Sequence, residues 1–321
     1  MELTGIAAYL VSFLTFAGIY GILALGLNLQ WGFTGQFNIG IAGFFAVGAY
    51  TTAIFTTPES PAYVGGFGAP FLVGLIAATA MSTVVGFLIG LITKRLRTDY
   101  LAIATIGIAE IIRLIVTNED WLTNGVRGIP AVPRPFAGMG LDTPLGFLLV
   151  ILVFVALVYF LVERARKSPW GRVLRAIREN EPAAEAAGKD IGRFRLQAFT
   201  VGAAVMGLGG GLYAHYFGFV SPEAFRPLYG TFLVWVMLIA GGSGNNKGAL
   251  LGAVIIWAIW SGTEFITNLL PSDMATQAAA VRVLLIGLLL QVILVTRPEG
   301  LLPEASPKPR NGSKQKGEDG D

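Results

Sequence analysis

Residues 163–195 read ERARKSPWGRVLRAIRENEPAAEAAGKDIGRFR and form the one long charged stretch in a mostly apolar chain. Apolar runs flank it on both sides, at about 145–162 and 195–218. Runs of this length suit hydrocarbon, where charged side chains are costly. We therefore predict that 163–195 lies in water between two membrane spans.

The charged stretch predicts two short helices. Residues 170–179 have the pattern of an amphipathic helix. One side carries the apolar residues Val173, Leu174 and Ile177, and the other sides carry the charged residues Arg172, Arg175, Arg178 and Glu179. Pro182 suits the first turn of a second helix over 183–187. Gly188 can end that helix, because glycine tolerates the left-handed cap conformation.

The composition indicates an integral membrane protein. Hydrophobic residues make up 54% and charged residues 13%, against about 25% charged in an average globular protein. We predict an all-α, polytopic bundle of transmembrane helices. The chain has no cysteine and one histidine, His215, so we expect no metal site, no cofactor bound by this chain and no catalytic role. Nothing in the charge pattern points to nucleic acid as a partner.

Nine apolar runs predict about nine spans, within a range of eight to ten. They lie at about 5–29, 37–56, 69–93, 100–117, 145–162, 195–218, 229–241, 249–270 and 280–296. Placing the N-terminus outside and the C-terminus in the cytoplasm satisfies the positive-inside rule. The inward loops then hold Lys94, Arg95, Arg97, nine Lys and Arg residues of 163–195, Lys247 and a basic C-terminal region; the outward loops hold Arg127, Arg134 and Arg226.

Two alternatives remain open for 31–48, where five glycines alternate with polar residues that include Gln36 and Asn38. The stretch suits a broken, re-entrant helix buried in protein, which would be costly in contact with lipid. It equally suits a cytoplasmic turn followed by an ordinary glycine-rich span.

Small residues spaced by four indicate close helix packing, without saying whether the neighbouring helix belongs to this chain. The pairs are Gly86 and Gly90, Gly207 and Gly211, and Gly248 and Gly252. We predict one transmembrane domain over 1–302 and a disordered cytoplasmic tail over 303–321, which has almost no apolar residues. The loop 118–143 is a docking surface for an external partner or a plain solvated loop.

Polar residues inside predicted spans are candidates for a translocation pathway. Glu110 and Arg113 are three residues apart and share one helical face. The pair, with Thr105, lines the pathway or, alternatively, ties the helix down near the outer surface. Gln36 and Asn38 complete the candidate pathway set. Other ionisable residues have other expected roles: Glu264 and Arg282 in an inter-helix tie, and His215 in an interfacial aromatic belt.

The glycine-rich loop 241–248 ends in Lys247 and Gly248 but does not match a phosphate-binding loop. Asn246 stands where that motif needs its second glycine, and Gly248 where it needs Ser or Thr. We therefore expect a flexible cytoplasmic turn and no ATP site in this chain.

Several motifs together resemble a known family. Glu185-Ala186-Ala187-Gly188, preceded by 175–179, looks like the cytoplasmic coupling segment of ABC-importer permeases. The branched-chain amino acid permease family, in its M-type subunit, is similar from about residue 23 to 302. The motifs that carry this likeness are Gly171-Arg172-Val173-Leu174-Arg175-Ala176, Tyr213-Ala214-His215-Tyr216 with Ser221-Pro222, and Tyr100-Leu101-Ala102-Ile103 leading to Gly107, Glu110 and Arg113.

The resemblance implies a non-catalytic subunit of an ATP-driven importer in the bacterial cytoplasmic (inner) membrane. Its partners would be a second, H-type permease, two cytoplasmic ATP-binding subunits that hold the ATP, an external or periplasmic solute-binding protein and membrane lipid. The predicted ATPase-coupling residues are Arg172, Arg175, Arg178, Glu179, Ala184, Glu185, Ala186, Ala187 and Gly188. Of these, the alanines would form a compact docking surface, and Arg175, Arg178 and Glu185 would pair with charges at its rim.

The resemblance implies branched-chain or other neutral amino acids as the substrate, with urea or short amides as the alternative. Sparse intramembrane charge fits a zwitterion or a neutral solute. A stand-alone, ion-coupled secondary transporter is the rival from another class, because such proteins use midplane carboxylates and broken helices.

Overall fold

The computed structural model describes residues 5–94, 96, 98–135, 143–267 and 275–304. Its described part is almost entirely helical. The helices are α1 (Gly5–Leu27), α2 (Ile41–Thr56), α3 (Phe71–Thr93), α4 (Thr98–Asn118), α5 (Asp120–Thr123), α6 (Pro144–Lys167), α7 (Pro169–Glu179), α8 (Glu181–Ala186), α9 (Ile191–Phe217), α10 (Leu233–Gly241), α11 (Asn246–Thr267) and α12 (Ala275–Thr296).

Each of the nine apolar runs coincides with one helical stretch. Two of these stretches contain a π-helical turn, Asn28–Gly32 after α1 and Leu228–Phe232 before α10. Among the described residues, five stretches are long and apolar enough to cross a membrane: Gly5–Gly32, Phe71–Thr93, Asp99–Asn118, Pro144–Lys167 and Ile191–Phe217. The helical bundle is thus confirmed, whereas a count of nine spans stays a prediction.

The core forms around α9, which packs against α1, α2 and α3. Glycines permit the closest of these approaches. A Cβ added at Gly48 on α2 would lie only 2.0 Å from the backbone oxygen of Gly207 on α9. The small-residue pairs contact helices of this same chain: Gly86 faces Ala203, Gly211 faces Leu75, and Gly252 faces Met237. They therefore serve packing within this subunit.

The described connections between the long helices lie at two ends of the bundle. One end, called here the basic end, gathers the turn 33–40, the α7–α8 pair, the turn 242–245 and the C-terminal strap 297–304. Hydrogen bonds join them, such as Gln36 to the Arg195 carbonyl at 2.8 Å and Asn245 to the Leu302 carbonyl at 3.2 Å. Lys94, at the end of α3, borders a cavity shared with Gln36 and Arg195, while Arg95 and Arg97 lie outside the described residues. This placement matches the charge pattern; which end faces the cytoplasm stays a prediction.

The turn over residues 35–40 interrupts the helix between α1 and α2. Helix resumes at Ile41, and α2 then runs to the opposite end, where the Gly66 amide donates to the Ile54 carbonyl at 2.9 Å. The turn itself is irregular and largely buried, with Asn38 fully enclosed. The stretch is therefore a buried, irregular turn between α1 and α2, and α2 is shorter than the stretches that are long enough to cross a membrane. The choice between a re-entrant helix and an ordinary span stays a prediction.

The end opposite the basic end holds a small exception to the all-α prediction. Two short strands, β1 (Ile129–Pro130) and β2 (Phe219–Val220), pair antiparallel and join the loop after α4 to the end of α9. The part of the loop at 136–142 lies outside the described residues, and its docking role stays untested.

The sequence predicts that His215 lies in an interfacial aromatic belt, and the structure shows that this prediction is wrong. It is fully buried, with Nδ1 donating to the Pro133 carbonyl at 2.6 Å and Nε2 lying 3.4 Å from the Thr52 hydroxyl. The reason is that the loop carrying Pro133 folds back over the end of α9, which closes this side of the helix to its surroundings.

Candidate functional site

The α7–α8 pair is built by caps that the sequence supplies locally. Ser168 and Asn180 cap α7 and α8 by accepting hydrogen bonds from Gly171 at 3.3 Å and Ala183 at 3.0 Å. Asp190 does the same for α9. Gly188 has φ +74°, the left-handed conformation that was predicted for it. Two rigid, short helices at a fixed angle result.

One face of the pair is anchored to the bundle. Leu174 and Ile177 are buried on this face. Ala184 is buried as well, but in the groove between α7 and α8, which corrects the prediction that it is part of an exposed alanine docking surface. The Trp170 indole donates to Gln197 of α9 at 2.9 Å. These contacts attach α7 to α9.

Salt bridges strengthen the attachment of α8 to α9. Both oxygens of Glu181 accept hydrogen bonds from the guanidinium of Arg195, at 2.9 and 2.8 Å. The geometry is bidentate, which adds specificity to the contact, although Glu181 is nearly half exposed and water weakens the pair.

Arg175 and Arg178 face the bundle, which corrects the prediction that they pair with charges at the rim of the docking surface. Arg178 donates to the Gly32 carbonyl at the end of α1 and forms a salt bridge of 2.6 Å with Glu304. Arg175 lies 3.7 Å from the same carboxylate. Both side chains are about one-quarter exposed. The physical reason is that Glu304, which sequence patterning had assigned to a disordered tail, occupies this side of α7.

The opposite face of the pair is open. Most of the remaining predicted coupling residues lie on it and are exposed: Arg172, Glu179, Glu185, Ala186, Ala187 and Gly188. Between the two helices runs a groove of about 510 Å³ with Val173, Ala176 and Ala183 on its walls. Small side chains line it and charged ones border it. Such a surface can receive a protuberance of another protein, although its role toward an ATPase stays a prediction.

A buried amide network joins this segment to the helix ends beneath it, and sequence reasoning missed it. Asn28 accepts from the Gly244 amide at 2.8 Å and donates to Asn246 at 2.9 Å. Asn246 in turn donates to Glu163 at 2.9 Å. The only signal in the sequence was an asparagine near one end of two apolar runs, Asn28 in the run 5–29 and Asn246 before the run 249–270. The turn 242–245 is therefore held by hydrogen bonds and is not the flexible loop that was expected.

Three of the predicted pathway residues come together around the turn 35–40. Asn38 donates to Gln30 at 2.7 Å, and the Thr105 hydroxyl of α4 accepts from the Ile39 amide at 3.0 Å. Gln36 donates to the Arg195 carbonyl. Their polar groups are thus engaged inside the chain and support the irregular backbone.

The other two pathway residues form a separate pair on α4. The Arg113 guanidinium binds both oxygens of Glu110, with contacts of 2.5 to 3.1 Å, so the predicted pairing is confirmed. The carboxylate side chain is 42% exposed and the arginine 24%. Around them the surface of α4 is apolar, with Ile103, Ile111 and Leu114 exposed. The proposed tie between Glu264 and Arg282 involves side chains outside the described residues.

Sequence comparison with known proteins identifies transport permeases as relatives of this chain. The family model described as "Branched-chain amino acid transport system / permease component" matches residues 9–294. The high-affinity branched-chain amino acid transport system permease protein LivM of Escherichia coli (strain K12) is 33% identical over 94% of this chain and 72% of its own length. The probable LivM of Methanocaldococcus jannaschii is 30% identical over 89% and 91%.

A second type of permease is more distantly similar. The LivH protein of Salmonella typhimurium is 23% identical over 75% of this chain and 80% of its own length. No solved structure matches. On the family match and the similarity to LivM over most of its length, this chain belongs to the branched-chain amino acid ABC transporter permease family, as an M-type subunit.

Proposed function

We propose that this chain is the membrane subunit of an ATP-driven importer that moves branched-chain or other neutral amino acids across the bacterial cytoplasmic membrane. The observation that carries the proposal is the α7–α8 pair, which presents an open groove at the basic end of a family permease. The chain itself carries no phosphate-binding loop, so ATP is bound and hydrolysed by partner subunits.

The proposed mechanism transmits a movement of the ATPases into the spans. An ATPase seated in the groove moves α7 and α8 as one body when it closes on ATP. The movement then passes to α9 through Trp170 and Glu181, and to the end of α1 through Arg178. Because these contacts join rigid helices, the displacement reaches the spans without being absorbed in loops.

A second, H-type permease subunit is the proposed cover for the open face of α4. A half-exposed ion pair amid apolar side chains is costly in contact with lipid. Against another permease the same pair can line a shared, solvated pathway. Glu110 and Arg113 would then meet the polar ends of the substrate, while Gln36, Asn38 and Thr105 support the helix ends beside it. Loops at the opposite end would receive the external solute-binding protein.

Branched-chain amino acids are the first substrates to test, because the relatives named above are permeases for them. Urea and short amides are the alternative substrates. Uptake of labelled leucine, measured with excess unlabelled isoleucine, alanine, urea or acetamide, separates the two groups. Absence of leucine uptake, with uptake of labelled urea instead, would contradict an amino acid substrate.

The first experiment identifies the partners. The chain is tagged at its C-terminus, extracted in mild detergent and examined by mass spectrometry for proteins that copurify in stoichiometric amounts. We expect ATP-binding subunits and a second multi-span permease. Recovery of the chain alone, stable and monodisperse, would instead favour a stand-alone secondary transporter.

A matched pair of variants directs this experiment to the groove. Ala187 borders the groove and is exposed, so Ala187→Arg should leave the helices folded but fill the docking surface. The recovered ATPase should fall sharply while the second permease is retained. Glu299→Arg places the same side chain at an exposed position on the same end, outside the groove, and should recover both partners. Equal recovery with the two variants would remove the groove from the docking role.

The energy source separates the proposed importer from its rival. Uptake in cells should stop when ATP is depleted and persist when the ion gradient is collapsed. The reverse result would support ion coupling, in which midplane carboxylates bind the driving ion.

A further inference from the structure

The C-terminal strap, residues 297–304, crosses the basic end and bridges elements that are far apart in sequence. The Leu301 amide donates to the Ala240 carbonyl and the Leu302 amide to the Gly241 carbonyl, both at 2.9 Å, at the end of α10. Asn245 donates to the carbonyls of both Leu302 and Pro303. The strap is therefore hydrogen-bonded along the turn between α10 and α11.

The fit between strap and turn is close enough to need glycine on both sides. A Cβ at Gly300 would lie 2.5 Å from the Cα of Gly242, and a Cβ at Gly242 would lie 2.2 Å from the Leu302 carbonyl oxygen. Both glycines have positive φ, at +82° and +117°. The backbones of the two segments are thus in direct contact, with no side chain between them.

The strap ends on the coupling helix. The two oxygens of Glu304 face the two arginines one turn apart on α7, with Oε2 at 2.6 Å from Arg178 and Oε1 at 3.7 Å from Arg175. Arg178 continues the chain of contacts to the Gly32 carbonyl at the end of α1. A single carboxylate therefore connects α7 to the α10–α11 turn.

We infer that Glu304 is a positioning residue for coupling: it fastens the strap to α7, so that movement of the coupling helix is delivered to α10 and α11 as well as to α1 and α9. This inference rests on the proposed function. Without Glu304, α7 keeps its contacts with α1 and α9, but no described side chain of the strap binds it. The ATPases would then still dock and hydrolyse ATP, while fewer spans follow their movement.

The test uses the whole complex, with both permeases, the ATPases and the binding protein, in proteoliposomes. Glu304→Gln keeps the size of the side chain and removes the charge. The ratio of amino acid transported to ATP hydrolysed should fall about fivefold or more, which corresponds to the loss of a coupling free energy of ordinary size. ATP hydrolysis itself should remain. Glu299→Gln, an exposed carboxylate of the same strap, is the matched control and should leave the ratio unchanged.

A covalent link provides the second arm, and the absence of cysteine from this chain means that only the introduced pair can be crosslinked within it. Arg175→Cys with Glu304→Cys removes the ionic link at Glu304 but leaves Arg178 bound to Gly32. A short, reducible thiol crosslinker should restore the transport ratio, and reduction should abolish it again. This arm also covers the case in which the Gln variant fails to assemble, because restoration depends on the link alone.

The outcomes separate cleanly. Uncoupling by Glu304→Gln, with restoration by the crosslink, supports the inference. Behaviour like Glu299→Gln, parallel loss of ATP hydrolysis and transport in an assembled complex, or inhibition by the crosslink would each overturn it. Transport by the wild-type complex is measured before the variants. If that complex fails to transport branched-chain or other neutral amino acids, the result contradicts the proposed function and does not test the role of Glu304.

Discussion

The side-chain amide of Asn28 donates a hydrogen bond to the side-chain oxygen of Asn246 over 2.9 Å, which ties the end of α1 to the beginning of α11 inside the protein. The two residues are almost completely buried. Because Asn28 also accepts from the Gly244 amide and Asn246 donates to Glu163, four segments of the basic end meet at this contact.

Asn28→Ala should therefore lower the free energy of unfolding by about 1–3 kcal/mol, since it leaves the Gly244 amide and the side-chain oxygen of Asn246 buried without their partner Asn28. Thermal unfolding in detergent measures the change. Asn118→Ala is the control, because Asn118 is exposed and donates only to a carbonyl of its own helix. An equal effect of the two substitutions would show that the buried network contributes nothing.

Gly48→Ala tests the close packing of α2 on α9. The added methyl group would lie 2.0 Å from the Gly207 backbone oxygen, so the helices must separate. Overpacking of this kind costs about 1–3 kcal/mol, and the melting temperature should fall accordingly. Gly262→Ala, at a helical glycine with nothing within 4 Å of the added atom, should leave it unchanged or raise it. Unchanged stability of Gly48→Ala would contradict the described helix spacing.

Much of the fold could be predicted because its signals are local. Apolar runs placed the helices of the bundle, and the pattern of Leu174 and Ile177 placed the buried face of α7. The cap at Gly188 followed from its own conformational freedom. Long-range partners could not be predicted in this way. Nothing near Arg178 in the sequence shows that its carboxylate partner lies 126 residues away, in a stretch whose composition resembles a disordered tail.

The orientation of the α7 arginines shows what could not be predicted about the candidate site from the sequence. On an amphipathic helix that lies outside the bilayer, both flanks next to the apolar stripe can meet water, so periodicity does not say which charges are free. The structure assigns Arg172 to the open side and Arg178 to the bundle because Glu304 and the Gly32 carbonyl are there. Such a choice depends on tertiary contacts.

Glu110→Gln tests whether the ion pair on α4 serves the translocation pathway. We expect uptake by the assembled transporter to fall strongly, because a carboxylate in the pathway would be replaced by a group that cannot pair with a cationic substrate end. The amount of assembled complex, measured by size-exclusion chromatography, should be retained.

The double variant Glu110→Gln with Arg113→Gln separates this role from a structural tie. If the pair only neutralises itself, removal of both charges should restore uptake lost in the single variant. A pathway role predicts that uptake stays low. Unchanged uptake and stability in Glu110→Gln would remove this residue from the pathway altogether.

Gly188 connects the conformation of the coupling segment to its function, and three substitutions test the connection. Gly188→Pro cannot adopt φ +74° and loses the hydrogen bond from its amide to the Glu185 carbonyl at 2.8 Å. It should change the angle between α8 and α9, abolish transport and leave membrane insertion intact.

Gly188→Ala is a milder change, because the added methyl group meets no atom within 4 Å. Its cost is the strain of a left-handed residue, about 1 kcal/mol, and a moderate loss of transport is expected. Gly192→Ala, four residues on within the first turn of α9, needs no such conformation and should transport normally. If Gly188→Pro also transported normally, the shape of the α7–α8 pair could not be what the ATPases engage.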